Sequence, residues 1–172
     1  MIRRKEAVAN MDCWRMFEQA NSFYAFAMLG SKEAEKDPMC NVYFSAPQIV
    51  NLALACEIYL KMLLEHTGVT VKEHRLSALL HKVPKDYQNR INTLLYQRYP
   101  ITQNAFGCPH IELLSNAFVE WRYSYEAQSL SCDISYLKAF AETLRDVCCS
   151  EVHGKSWAEY CKTHEINSDL WG

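Results

Sequence analysis

The chain has 172 residues, 49% hydrophobic and 22% charged, with a formal net charge of −2. That length suits one domain with a full core, and the charge excludes a general nucleic-acid binder, since IRRK at 2–5 is the only dense basic run. Only 5 glycines and 5 prolines leave few turns, which excludes a many-stranded architecture and favours long helices.

In chain order, residues 6–29 read as a first helix, because Val8, Cys13, Phe17, Ala20, Tyr24 and Ala27 fall at helical spacing. Gly30 is expected to end it, before a polar connection over 31–37. Met39 to Phe44 reads either as a short extended piece or as the lead into the next helix. Ser45 with Pro47 reads as an N-cap and an early proline. The second helix then runs to about Glu65, and Gly68 closes it. A third spans His74 to His81, with Leu76, Leu79 and Leu80 inward. Pro84 separates it from a fourth, Asp86 to Gln97, whose stripe is Tyr87, Ile91, Leu94 and Leu95. Residues 99–109 read as loop, and a fifth helix covers about His110 to Gln128. The sixth runs from Ile134 to about Val152 on the stripe Leu137, Phe140, Ala141, Leu144 and Val147. Gly154 breaks it, Ser156 caps a last short turn, and 168–172 reads as a frayed end. No repeat or linker divides the chain. Residues 1–172 therefore read as one all-α antiparallel helical bundle, core about 6–152, with a short C-terminal helical extension.

No apolar run precedes Glu6, so no secretory signal is expected. No segment reaches the roughly 18 uninterrupted apolar residues of a membrane span. Eight cysteines without a signal predict free thiols in a reducing, cytoplasmic setting.

The stretch 51–64, NLALACEIYLKMLL, is apolar around nearly its whole circumference yet carries Asn51, Glu57 and Lys61. It reads as a buried helix whose charges need partners, because an unpaired buried charge costs several kcal/mol. Glu57 and Lys61 are four apart and share a face. A second cluster, FVEWRYSYEAQ at 118–128, sets Arg122 and Glu126 four apart among Trp121, Tyr123 and Tyr125. The economical arrangement packs this helix on the second one, so that Arg122 meets Glu57 and Lys61 meets Glu126. Such a quartet is either a network that sets helix register or a cleft suited to a phosphate or nucleotide.

The order ACEIYLKMLLEHTG, then HRLSALLHKVP, then FVEWRYSYE, spread over roughly 10–150, resembles the HEPN superfamily (higher eukaryotes and prokaryotes nucleotide-binding). The resemblance implies an antiparallel helical bundle that dimerises. Many members are metal-independent ribonucleases of defence, toxin–antitoxin or RNA-processing systems, and others are non-catalytic binding modules. Catalytic members carry an Arg followed about a turn later by a His near the start of a late helix, supported by a polar or acidic residue on an earlier one. Here the Arg matches Arg122 and the supporting acid matches Glu57. The His is absent, since the residues after Arg122 read YSYEAQS, and Glu126 lies near its place. The resemblance thus implies catalytic roles for Arg122, Glu126 and Glu57, and substrate binding by Lys61, Asn51, Tyr123 and Tyr125. A weaker alternative is Arg75 with His81, five residues between them, and His74 lined up with His81 on one helix face.

Cys149, His153, Cys161 and His164 give a Cys-x3-His-x7-Cys-x2-His order. Its spacing is poor for a zinc finger, and helix-core thiols are the preferred reading, so no metal or cofactor is expected. The expected partners are a second copy, RNA or a nucleotide, and a cognate antitoxin or other partner protein, with no membrane. Two functions stay open. One is an RNA- or nucleotide-directed HEPN effector, a metal-independent endoribonuclease in its catalytic form. The other is a non-catalytic dimerisation or partner-binding module whose charges form a structural ion network.

Overall fold

Long apolar periodicities and few helix breakers produce, in the computed structural model, an all-α bundle with no strand among the described residues. The structure describes residues 2–100, 109–126 and 131–166, and side chains within those ranges except at 2–11, 34–35, 38–43 and 109–110. The elements are α1 (Ile2–Lys36), α2 (Pro38–His66), α3 (Leu76–Lys82), α4 (Lys85–Arg98), α5 (Pro109–Leu113), α6 (Ala117–Arg122), α7 (Ile134–His153) and α8 (Trp157–Thr163), with a 3-10 turn at Ser124–Glu126.

The first two helices are longer than their sequence signals. Gly30 does not end α1, which continues to Lys36, and α2 begins at Pro38 rather than at a Ser45 cap. Proline suits a first helical turn because its missing N–H has no intrahelical partner there anyway. At Gly30 α1 packs against Phe44 of α2, and a Cβ there would sit 3.4 Å from Phe44 Cδ1, an ordinary contact. Pro47 falls inside α2, and Asn51 Nδ2 donates to the Pro47 carbonyl at 2.7 Å.

Helix α2 is the axis of the molecule, packed by α1, α3, α6 and α7. Leu52, Ala53, Cys56, Tyr59, Leu60 and Leu63 are all sealed. Phe44–His66 is long and apolar enough by composition to cross a membrane, but 72% of its most apolar window is buried inside the bundle. Within this core Tyr59 donates its hydroxyl to Asn21 Oδ1 at 2.6 Å.

Helix α3 starts at Leu76, two residues later than expected. The Glu73 carboxylate takes the backbone N–H groups of His74 and Arg75 at 3.0 and 3.1 Å. That keeps both residues in an extended approach to the helix. His74 and His81 therefore do not share a helix face. His81, in the last turn, has Nδ1 2.7 Å from the Ser77 carbonyl.

The fifth predicted helix is broken in two. Between α5 and α6 the chain turns at Ser115, whose carbonyl accepts the Leu76 N–H at 3.1 Å. The Ser115 hydroxyl lies 2.6 Å from that of Ser77. A serine that bonds across to another element competes with the helical ladder, and here the competition wins. After Arg122 the chain tightens into the 3-10 turn; residues 127–128 of the predicted helix lie outside the described residues, as do 101–108 of the predicted loop and the predicted frayed end at 168–172.

Helix α7 follows its sequence signals closely. The Asp133 side chain accepts the Tyr136 N–H at 2.9 Å, and Gly154 ends the helix at φ 66°. Only glycine takes that left-handed conformation cheaply. Ser156 and Glu159 form a capping box at the start of α8.

Candidate functional site

The charges of α2 find their partner in the approach to α3. Glu57 is 5% exposed. Its Oε1 accepts from Lys61 Nζ at 2.8 Å and lies 2.9 Å from His74 Nδ1. The i,i+4 pairing expected from the sequence is present, while the second partner is the His74 imidazole rather than Arg122. Glu57 Oε2 is buried with no hydrogen-bond partner. The three groups are graded toward solvent, from the sealed carboxylate through Lys61 at 20% side-chain exposure to His74 at 64%. Arg75, also largely exposed, lies beside them and bonds Glu73 through Nε at 3.5 Å. Hydrogen bonds from the Arg75 and His74 amides and the Arg75 side chain hold the Glu73 carboxyl down to about 2.

This geometry makes a carboxylate-held imidazole. With its Nδ1–H donated to Glu57, the ring presents Nε2 as the free acceptor. Lys61 and Arg75 add two cations, and Lys72 lies exposed on the same approach. Between 57 and 75 these three cations balance Glu57, Glu65 and Glu73, a local charge of zero with histidines neutral.

Helix α6 does pack on α2, as expected, yet its charges do not reach Glu57. Arg122 is exposed, its guanidinium 5.1 Å from the Phe118 ring centroid and 4.7 Å from that of Tyr123. Among the described residues Glu57 pairs with Lys61 and His74, and Arg122 and Glu126 are in no ion pair. The expected meetings of Arg122 with Glu57 and of Lys61 with Glu126 are thus corrected. The physical reason is the break at Ser115, which shortens α6 and leaves its last turn facing water. Tyr123 and Tyr125 are 42% and 79% exposed. Asn51 is occupied by its own helix backbone.

The cysteine–histidine set at the C-terminus does not converge. Cys149 and Cys161 are buried, and burial pushes the Cys149 thiol up to about 12. His153 and His164 pack on the Tyr160 ring with centroids 4.3 and 4.1 Å away. Among the described residues no three His, Cys, Asp or Glu side chains are placed to hold a metal ion.

One buried charge escaped the sequence reading. Arg145, 3% exposed, lies between the rings of Tyr24 and Trp157, with its guanidinium carbon 4.3 and 4.7 Å from their centroids. The Tyr24 hydroxyl donates onward to Glu142 at 2.9 Å. The signal was available: Arg145 interrupts the apolar stripe between Leu144 and Cys148, as Glu57 interrupts that of α2. His74 carried no such signal, because its partner lies across a turn.

No family model, no curated protein and no solved structure matches this chain.

Proposed function

We propose that this helical protein binds RNA or a nucleotide by its phosphate at the cluster of Lys61, His74 and Arg75, with Glu57 as the buried group that positions them. The observation that carries the reading is an imidazole 64% exposed to solvent and fixed on a carboxylate that also holds a lysine. A histidine tethered in this way is pre-oriented for a phosphate oxygen or a ribose hydroxyl, at little further entropic cost. Arg75 supplies a planar fork suited to phosphate, and Lys61 a point charge. In a ribonuclease of this design His74 Nε2 takes the proton of the 2′-hydroxyl as its oxygen bonds to the adjacent phosphorus; the P–O5′ bond breaks and the 5′-oxygen leaves with a proton from water, giving a 2′,3′-cyclic phosphate. The resemblance to the HEPN superfamily supports the RNA or nucleotide context, a homodimer, and a setting in defence or toxin–antitoxin systems. The proton-carrying role then passes from Glu126 to His74, and the phosphate from Arg122 to Arg75.

A second reading is favoured by the 5% exposure of Glu57. There the same bonds form a structural latch that ties the extended segment after α2 back onto it, and the protein is a non-catalytic binding module. One experiment separates the two. Wild type, His74→Ala, Arg75→Ala and Arg122→Ala are incubated with labelled single-stranded RNA in EDTA, and binding, cleavage and thermal unfolding are recorded. The phosphate-site reading expects affinity to fall about tenfold or more in the first two variants, the loss of one good charged hydrogen bond, with Arg122→Ala unchanged. Cleavage by wild type that vanishes in His74→Ala marks the ribonuclease. Binding indifferent to both His74 and Arg75, with only the unfolding temperature lowered, overturns the site and leaves the latch.

A further inference from the structure

The surface of α5, α6 and the following turn is a separate feature that the phosphate site does not use. Leu113, Val119, Tyr123 and Tyr125 are 62%, 46%, 42% and 79% exposed. Val119 and Tyr123 are four apart and share a side of the chain. Large apolar groups gathered on one short stretch mark an interaction surface more often than scattered ones do.

The charges select the partner. From Ile111 to Glu126 the charged residues are Glu112, Glu120 and Glu126 against Arg122 alone, three minus one, a local charge of −2. All four are exposed, and none is in an ion pair with another described residue. Arg122 lies over Phe118 and Tyr123, where it stiffens the aromatic platform. The three carboxylates remain facing water. A phosphate backbone is repelled by such a face. A second copy would set −2 against −2. A lysine- or arginine-rich segment with one apolar side meets both features at once, its apolar side chains on Val119, Tyr123, Tyr125 and Leu113, its cations on the glutamates.

We propose that the α5–α6 face docks a basic amphipathic helical segment of a partner protein. This goes beyond the phosphate site and does not depend on it. The test uses fluorescence anisotropy with a short labelled peptide carrying Leu at helical spacing (i, i+3, i+4, i+7) and Lys at the other positions. The same peptide with Glu for Lys and a short oligouridylate serve as comparison probes. Wild type is measured beside Glu120→Lys/Glu126→Lys and Val119→Ser/Tyr125→Ser, whose changes fall on exposed positions and whose folding is checked by circular dichroism. The expected result is a preference of about tenfold or more for the basic peptide over the acidic one, shrinking at high salt as screening requires. It should weaken in the serine variant and reverse in the lysine variant. Equal binding of the two peptides, no binding of the basic peptide, or a preference left intact by both double variants overturns the proposal. So does binding of the oligouridylate itself to wild type that the serine variant weakens.

Discussion

Lys61→Met is the sharpest probe of the buried cluster, because its effect should be undone by a second loss. The substitution keeps the apolar stem of the lysine and removes its ammonium. Glu57, 5% exposed, then retains only His74, and its Oε2 already lacks a hydrogen bond. Removing one partner of a buried pair strands the other, typically at 3–5 kcal/mol, and the surviving imidazole places this case near about 3 kcal/mol. For a chain of this length that is a fall of about 6–12 °C in Tm. Glu57→Met is a different perturbation. It loses two charged bonds, about 1.5 kcal/mol each, but relieves a carboxylate desolvation of several kcal/mol. The partners it leaves behind, the Lys61 ammonium and the His74 imidazole, reach solvent. Its net cost should be about 1 kcal/mol or less. The double variant should then be about 2 kcal/mol more stable than Lys61→Met alone. Urea unfolding of the four proteins measures all three differences. A Glu57→Met cost equal to or above that of Lys61→Met, with no rescue in the double variant, would refute the argument that carboxylate desolvation dominates this site.

Two glycines should respond to alanine with opposite signs. Gly30→Ala should stabilise by about 0.5–1 kcal/mol, since the helix interior gains rigidity and the new methyl meets Phe44 at an ordinary 3.4 Å. Gly154→Ala should destabilise by about 1 kcal/mol, because φ there is 66°; thermal unfolding of the pair decides it, and equal signs would contradict the backbone argument. Arg145→Ala should cost about 3 kcal/mol in urea unfolding, through the emptied space and the lost cation–π faces of Tyr24 and Trp157. The Glu73 carboxyl, held down to about 2 against an ordinary 4.5, is depressed on folding. Its contribution is complete above pH 4.5 and is lost as the pH falls toward 2, so Glu73→Gln should flatten that acid limb, measured as unfolding midpoint against pH; a limb of unchanged slope would count against the turn.

Legibility from sequence followed the range of the interactions. The i,i+4 pair of Glu57 and Lys61 was readable because helix geometry alone brings those side chains together. The ends of α7 fell where the sequence puts them, near Ile134 and Gly154, because the caps there act within three or four residues of themselves. Gly30 and Ser45 misled for the same reason: each is a local stop or start signal overruled by the packing of α1 on α2. The candidate site was half legible. Its buried acid and lysine stood out against an apolar helix, whereas its histidine was placed by an extended approach that Glu73 and the Ser115 contact help to hold. Arg122 was assigned to the site by the expected packing of its helix on the second one and by the resemblance; α6 does pack there, but Arg122 lies over Phe118 and Tyr123 instead.

By itself the sequence determined an all-helical chain, the apolar faces that must be buried, and the presence of charge where charge is costly. Periodicity and capping are properties of neighbours along the chain, so composition and spacing suffice to express them. Tertiary structure decided which side chains meet Glu57, that Arg145 packs on two aromatic rings, and that Glu112, Glu120 and Glu126 stay exposed. Those outcomes depend on distances between residues far apart in sequence, set by how whole helices pack, and no local pattern encodes them.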